Sequence, residues 1–204
     1  MTDEPYNPLS MENLGHSVEN ALLDSTPTRM DQMSRFTGAG VYAIYYTGDA
    51  APYETLGAVN QREAFEVPIY VGKAVPKGSR KGVEVATASG GTALSSRLKQ
   101  HANSIVSAEN LYIEDFYARW LVTQEIWIPL GESLMIGRFA PVWNSIVDGF
   151  GNHDPGVGRR AGTVSRWDVL HPGRAWAEHF KTRNETRADI EADVREYLRA
   201  RIAI

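Results

Sequence analysis

Two short apolar runs constrain the fold of this chain more than any other feature of its sequence. The first covers residues 40–46 with the sequence Gly-Val-Tyr-Ala-Ile-Tyr-Tyr, and the second covers residues 69–72 with the sequence Ile-Tyr-Val-Gly. Both runs are rich in β-branched and aromatic residues and are bounded by glycine or proline, which is typical of β-strands. Alternation along the first strand predicts one face with Tyr42, Ile44 and Tyr46, and an opposite face with Val41, Ala43 and Tyr45.

The composition is that of a soluble globular protein and excludes several other classes. Hydrophobic residues make up 43% and charged residues 23% of the 204 positions, which is ordinary for a chain with a packed core. No apolar run approaches the roughly 20 residues that a membrane-spanning helix needs, and the N-terminus has no signal pattern. The chain has no cysteine, which excludes disulfides and thiolate metal sites and fits a reducing compartment. We therefore expect a cytoplasmic protein with no membrane partner.

The charge distribution is more informative than the net charge. The net charge of −4 argues mildly against a nucleic-acid partner. However, basic residues gather in one segment after the second strand and in another after a glycine-rich turn, and such local patches are compatible with a phosphate backbone. The alternative is an ordinary solvated surface. The first segment contains Lys73, Lys77, Arg80, Lys81, Arg97 and Lys99, and the second contains Arg159, Arg160, Arg166 and Arg174.

Turn, capping and periodicity signals predict an α+β fold around these strands. We expect an N-terminal arm over residues 1–38, an insertion between the first two strands that packs against another surface such as a second subunit, and a tail that packs on the core or on a twin subunit. The predicted helices are 17–23, 29–36, 58–65, 93–107 (with Thr92 as the N-cap), 130–139 and 189–204, and the predicted third strand is 116–123.

Three polar side chains stand out on these elements. Arg97 and His101 are four residues apart, so both emerge from the same face of the helix predicted for residues 93–107. Glu132 is the only acidic residue of the next helix and falls in its predicted first turn. The segment Pro141-Val142-Trp143-Asn144 then closes the unit, because proline cannot continue a helix.

The Gly-Val-Tyr and Tyr-Val-Gly tripeptides, together with this order of elements and side chains, resemble the GIY-YIG nuclease superfamily. Valine replaces isoleucine in both halves of the signature, and the resemblance covers residues 40–144. It implies a GIY-YIG nuclease fold with a small central sheet of about three core strands flanked by helices. We expect a single domain over residues 1–204, divided into the arm at 1–38, a catalytic core at 39–146 and an extension for DNA recognition and packing at 147–204.

The C-terminal segment indicates a narrower branch of the superfamily. The glycine-rich turn at 149–156 and the segments 165–168 and 171–176 resemble the GIY-YIG restriction endonucleases that cut CCGCGG, the SacII-like specificity group. This resemblance implies a type II restriction endonuclease that cuts double-stranded DNA as a homodimer. It also implies a cognate DNA methyltransferase in the same system that is not a physical partner.

Each requirement of phosphodiester hydrolysis has a candidate residue. We expect Glu132 to bind one divalent cation per active site, Mg²⁺ with Mn²⁺ as a possible substitute, and Arg97 to neutralise the phosphate. Tyr42 is the predicted general base, with His101 accepting its hydroxyl hydrogen bond and nearby cations favouring the phenolate. Tyr70 would orient water and phosphate, while Asn144 would bind the phosphate or fix the geometry of the cleft. Whether Tyr42 or His101 finally holds the proton is open.

DNA contacts are predicted outside this catalytic group. Arginines of the second basic segment (Arg159, Arg160, Arg166 and Arg174) are suited to guanine, which arginine recognises bidentately. Lysines and arginine of the first basic segment (Lys73, Lys77, Arg80 and Lys81) are suited to phosphates. His153 and His171 are expected in loops or facing DNA, without assigned roles.

Several structural or functional alternatives are open at this stage. Glu132 could be a glutamate favoured by the helix dipole, Tyr42 and Tyr70 could be core tyrosines, and Arg97 could be an ordinary surface arginine. The rival functions are a GIY-YIG repair or homing nuclease, a DNA-binding module without catalysis, and a protein-interaction domain.

Overall fold

A computed structural model describes residues 7, 9–61, 64–76, 91–154, 156 and 162–202. These residues form an α+β fold around a four-stranded antiparallel sheet with the strand order β1-β4-β2-β3. The fold class predicted from the sequence is therefore confirmed, with a fourth strand added by the N-terminal arm. The strands are β1 Thr28–Arg29, β2 Gly40–Tyr46, β3 Tyr70–Ala74 and β4 Phe116–Val122.

Strand β2 lies in the centre of the sheet and is buried along its whole length. Its β-branched and aromatic side chains can be buried on both faces because helices cover both sides of the sheet. The predicted alternation is confirmed, since the two sets of side chains belong to separate hydrophobic clusters. The first cluster includes Tyr42, Ile44 and Tyr46, and the second includes Val41, Ala43 and Tyr45.

The helices form two layers. Helices α1 and α4 cover the face that carries Val41, whereas α3, α5, α6 and α7 contribute to the core on the face that carries Tyr42. The helices are α1 Met11–Leu23, α2 Glu54–Asn60, α3 Ala93–Ser107, α4 Ile128–Phe139, α5 Val142–Ser145, α6 Arg166–Leu170 and α7 Arg187–Arg201. Short 3₁₀ turns lie at Met30–Gln32, Ile113–Asp115, Glu125–Trp127 and Ala177–His179.

Two of the predicted short helices are wrong, because long-range contacts replace the local helical pattern. In the segment 29–36, Arg29 instead belongs to β1 and pairs with Tyr117 of β4. A single 3₁₀ turn follows it. The helix predicted at 58–65 is displaced to α2, because the Asn60 side chain leaves the helical pattern and bonds to main-chain atoms. Its amide donates to the carbonyl oxygens of Tyr46 (3.0 Å) and Val67 (2.8 Å).

The C-terminal helix packs on the core of the same chain. The side chains of Ile190, Val194 and Leu198 are buried in the cluster that contains Tyr42. Thr186 and Asp189 form a reciprocal capping box at its N-terminus. The insertion between β2 and β3 contacts this helix through α2, so its packing partner lies within the chain.

A buried polar network connects α2, α5 and the end of α6. The Trp143 indole donates to Tyr53 Oη (2.9 Å), and the Tyr53 hydroxyl donates to His171 Nε2 (2.9 Å). His171 Nδ1 donates to Asn110 Oδ1 (3.0 Å), which assigns the neutral tautomer protonated at Nδ1. His171 lies just after α6, as expected of a loop residue, but it is completely buried, so the expectation that it faces DNA is wrong.

We predict that Tyr53→Phe lowers the free energy of unfolding by about 1–3 kcal/mol, because it leaves the Trp143 N–H and His171 Nε2 buried without a partner. Urea denaturation measures the change. Tyr112→Phe removes the same hydroxyl from a side chain that is 63% exposed, and should change stability by less than about 0.5 kcal/mol. Equal effects of the two substitutions would show that the network adds nothing to stability.

A second prediction concerns acid. Burial lowers the pKa of His171 to about 3, so the unfolded chain binds a proton that the folded chain excludes. The contribution of His171 to the free energy of unfolding should be complete above about pH 6.5. It should fall as the pH drops towards 3, by up to about 1.4 kcal/mol per pH unit. Burial of His101 acts in the same direction. An imidazole signal showing His171 protonated near pH 6 in the folded protein would contradict this prediction.

Candidate active site

A buried hydrogen bond between Tyr42 of β2 and His101 of α3 lies at the centre of the site. The distance from Tyr42 Oη to His101 Nε2 is 2.7 Å, and the two residues are 0% and 2% exposed. Helix α3 lies against this face because its buried stripe includes Leu94, Leu98 and Ile105. The same helical spacing directs His101 into the core.

Desolvation determines the protonation of this pair. Burial raises the pKa of Tyr42, and burial together with the positive charge of Arg97 lowers the pKa of His101 well below its usual range. The phenol is therefore protonated and the imidazole neutral, and in the tautomer with the proton on Nδ1 the Tyr42 hydroxyl donates to Nε2. The positive charge of Arg97 lowers the pKa of Tyr42, but this effect is smaller than that of burial. The nearby cation therefore favours the phenolate as expected, but it does not outweigh burial in the protein without DNA.

Tyr70 and Arg97 lie next to this pair. The ring of Tyr70 is 6.3 Å from that of Tyr42 and 5.2 Å from that of His101, measured between centroids. Burial raises the pKa of Tyr70, and the nearby Arg97 guanidinium partly offsets that effect. The two phenols and the guanidinium thus converge at the end of β3.

Arg97 is held by a turn that the sequence did not identify as part of the site. Its Nη2 donates to the carbonyl oxygen of Gly151 (3.0 Å), and its Nη1 donates to His153 Nε2. His153 had no predicted role, and the run of glycines around it was the only signal for a special turn. The structure therefore adds His153 to the site as a partner of Arg97.

Glu132 reaches the same region from α4. Its Oε2 lies 2.6 Å from Lys73 Nζ, with the Glu132 and Lys73 side chains 20% and 40% exposed. Burial is the main cause of the raised pKa of both Tyr42 and Tyr70, and the negative charge of Glu132 adds to it. Because α4 begins at Ile128, Glu132 is one turn inside the helix, and the predicted first-turn position is wrong.

Asn144 contacts the main chain of β3 in the described structure. Its Oδ1 accepts from the Val71 amide and its Nδ2 donates to the Val71 carbonyl, both at 2.8 Å. These two bonds satisfy the outer edge of a strand that has a sheet partner only on its β2 side. Of the two expectations for Asn144, this geometry favours support of the cleft over a direct phosphate contact.

Gly72 provides the space in which the phenols meet. A Cβ atom at this position would lie 2.4 Å from Tyr42 Oη, 2.7 Å from Tyr42 Cζ and 3.0 Å from a ring carbon of Tyr70. No side chain fits there without movement of an aromatic ring. The glycine of the second tripeptide is therefore a requirement of the site and not only a strand end.

The predicted DNA-contacting residues lie in different environments. Lys73 lies at the site, paired with Glu132, whereas Arg166 is held by Glu185 and by Asp193 at 2.8 Å. Arg174 is only 5% exposed and is paired with Asp168, so its assignment to guanine recognition is wrong. The predictions for Lys77, Arg80, Lys81, Arg159 and Arg160 lie outside the described residues.

Within the described part of the chain, no group of three or more His, Asp or Glu residues is arranged to hold a metal ion. None of the helices in that part combines the length and apolar character needed to span a bilayer.

A comparison with protein-family models decides the identity of the fold. The model described as the Eco29kI GIY-YIG domain matches residues 34–198, which include all the converging side chains described above. The chain belongs to this family. This family is a family of restriction endonucleases, so the protein is a nuclease that acts on DNA. No curated protein matches the sequence at a significant level.

We predict that Gly72→Ala lowers the DNA cleavage rate of this Eco29kI-family nuclease by at least ~10-fold, because displacement of a catalytic group by less than 1 Å is costly. The added methyl group would force the Tyr42 phenol to move. Gly137→Ala is the matched control, because a Cβ there meets nothing within 4 Å. Cleavage assays and thermal unfolding of both variants test this, and wild-type activity of Gly72→Ala would contradict the proposed crowding of the phenols.

Proposed function

We propose that this protein is a type II restriction endonuclease that hydrolyses both strands of double-stranded DNA at a short, palindromic, GC-rich site, with CCGCGG as the sequence suggested by resemblance. The observation that carries the proposal is the convergence of two phenols, a guanidinium and a carboxylate around the buried Tyr42–His101 bond. It occurs in a chain that belongs to a restriction endonuclease family.

Arg97 is the proposed phosphate ligand. Its guanidinium is permanently charged, partly exposed and held one turn before His101, with its donors directed to the turn at 151–153. A planar guanidinium can bind two phosphate oxygens and offset the charge that develops during in-line attack. Tyr70 lies beside it and would orient the same phosphate through its hydroxyl.

The proposed base is the Tyr42–His101 pair and not a phenolate. As water attacks the phosphorus and the P–O bond to the leaving oxygen breaks, the water proton would pass to Tyr42 Oη while the phenol proton moves along the 2.7 Å hydrogen bond to His101 Nε2. The departing alkoxide would take a proton from solvent. No free phenolate forms, which agrees with the raised pKa of Tyr42. The bound phosphate would also offset the Arg97 charge that lowers the pKa of His101, so His101 becomes a better proton acceptor when DNA is bound.

Glu132 is the proposed ligand of one divalent cation, Mg²⁺ or Mn²⁺. A single hard carboxylate fits this group, because Mg²⁺ keeps several water ligands and needs only one or two carboxylates from the protein. The Lys73 ammonium 2.6 Å from the carboxylate supports this proposal, because it is a cation held by the same oxygen. When bound, the metal would supply Lewis-acid stabilisation of the phosphate oxygens. Lys73 would then be available for a backbone phosphate.

A palindromic site would be read most simply by a two-fold symmetric homodimer with one active site per strand. We propose that residues 39–146 form the catalytic core and that the extension at 147–204 contributes to recognition. Because Arg166 and Arg174 are engaged by carboxylates, Arg159 and Arg160 are the proposed guanine contacts. A cognate methyltransferase that protects the same site would belong to the system.

The test is incubation of wild-type protein with plasmid DNA and Mg²⁺. We expect discrete double-strand fragments, no cleavage after chelation, and rates lowered by ~10²–10⁴-fold in Tyr42→Phe and Glu132→Ala. Each loses a site group without creating a large cavity in the core. The matched controls Tyr112→Phe and Glu109→Ala change exposed side chains and should cleave at the wild-type rate.

The possible results separate the rival functions. Undiminished cleavage by Glu132→Ala would remove the metal assignment. Nicking of branched DNA without defined plasmid fragments would favour a structure-selective repair nuclease over a restriction enzyme. DNA binding with no cleavage by the wild-type protein would favour a binding module.

A further inference from the structure

The turn at residues 149–153 joins the core to the C-terminal extension and supplies partners of Arg97. The turn begins at Gly149, whose φ of +105° lies in the left-handed region that favours glycine. The buried ring of Phe150 stacks on His101 at 4.5 Å between centroids. The Gly151 carbonyl and the His153 ring then accept from Arg97. The path of this turn therefore decides where the Arg97 guanidinium lies relative to Tyr42.

Arg174 binds the same turn from the opposite side. Its Nη2 donates to the Gly149 carbonyl (3.0 Å), and its Nη1 donates to the carbonyls of Phe150 (3.3 Å) and Asn152 (3.4 Å). Three carbonyl groups of one short turn are thus fixed by one guanidinium. Lysine could not reproduce this pattern, because its ammonium is a single point of charge without the planar fork.

The Arg174 side chain is itself rigidly held. Asp168 accepts from its Nε and Nη2, both at 2.7 Å, and the Ser165 hydroxyl donates to Asp168 Oδ2 at 2.6 Å. The Arg174 Cζ atom lies 4.3 Å and 4.6 Å from the ring centroids of Trp167 and Trp176. A buried ion pair is weak evidence for a role in stability, because apolar groups often replace such pairs without loss. The hydrogen bonds from Arg174 to three carbonyls indicate instead that the ion pair fixes the position of the turn.

We propose that Arg174 is a positioning residue that holds Arg97 in its catalytic orientation through the turn at 149–153. Asp168 fixes Arg174, Arg174 fixes the carbonyls of the turn, and the turn fixes both terminal nitrogens of Arg97. The C-terminal extension is thereby a structural part of the active site in addition to any contact with DNA. This inference rests on the proposed phosphate-binding role of Arg97.

The experiment compares Arg174→Lys, Arg97→Lys and the double variant in the full-length protein. Without DNA, the NMR signals of the Arg97 guanidinium, assigned by their loss in Arg97→Lys, should be resolved in the wild type and averaged in Arg174→Lys. With a saturating amount of protein, Arg174→Lys should lower the single-turnover cleavage rate by ~10–100-fold, with a smaller change in DNA affinity. In the Arg97→Lys background, Arg174→Lys should cause less than ~2-fold further loss, because both act through one group.

Val194→Ala is the control for general destabilisation. It shortens a buried side chain of α7 and should lower the melting temperature while leaving the Arg97 signals and the cleavage rate near wild type. If Arg174→Lys does not fold, Asp168→Asn loosens the same support at nearly constant volume and should also average the Arg97 signals.

Two results would overturn the inference. In the first, Arg174→Lys has resolved Arg97 signals and cleaves DNA at the wild-type rate. In the second, the fold-decrease in cleavage rate of the double variant equals the product of the fold-decreases of the two single variants. A wild-type protein that does not cut DNA would instead contradict the proposed function, and the Arg97 signals would still decide whether Arg174 positions that side chain.

Discussion

The buried hydrogen bond between Tyr42 and His101 is the interaction on which the rest of the site depends. It joins the central strand to α3, and its desolvation keeps the phenol protonated and the imidazole neutral. A pair of this kind can accept a proton from water only as a unit, because formation of a separate phenolate or imidazolium in the core is costly. The proposed phosphate and metal would bring the charges that make the transfer favourable, which links catalysis to DNA binding.

The elements around this bond fix the positions of the two phenols. Gly72 has no side chain where any Cβ would collide with Tyr42, and Asn144 holds the outer edge of the same strand in place. Glu132 and Lys73 lie nearby as a partly exposed ion pair. The packed core therefore fixes the phenols in place, while the nearby ion pair is partly exposed to solvent.

The C-terminal extension contributes more to this site than its position in the chain suggests. Its arginines were candidates for guanine recognition, but Arg166 is held by carboxylates and Arg174 is buried between two tryptophan rings. Two of the residues that contact Arg97, Gly151 and His153, belong to the turn that Arg174 binds. The family match continues through residue 198 and so includes most of this segment.

Local sequence pattern alone determined the parts of this protein in which neighbouring residues decide the outcome. The alternation in β2 and the shared helix face of Arg97 and His101 follow from periods of two and 3.6 residues. The paired tripeptides, together with the order of elements and side chains, indicated the nuclease superfamily. Tertiary structure decided what depends on distant partners. Arg29 joined a strand because β4 offered a free edge, and Asn60 ended a helix to bond to Tyr46 and Val67. Arg174 and His171 were buried because Asp168 and Tyr53 satisfy their polar groups. Charge and side-chain type cannot distinguish a buried arginine from a DNA-contacting one, since the difference lies in partners that only the folded chain brings together.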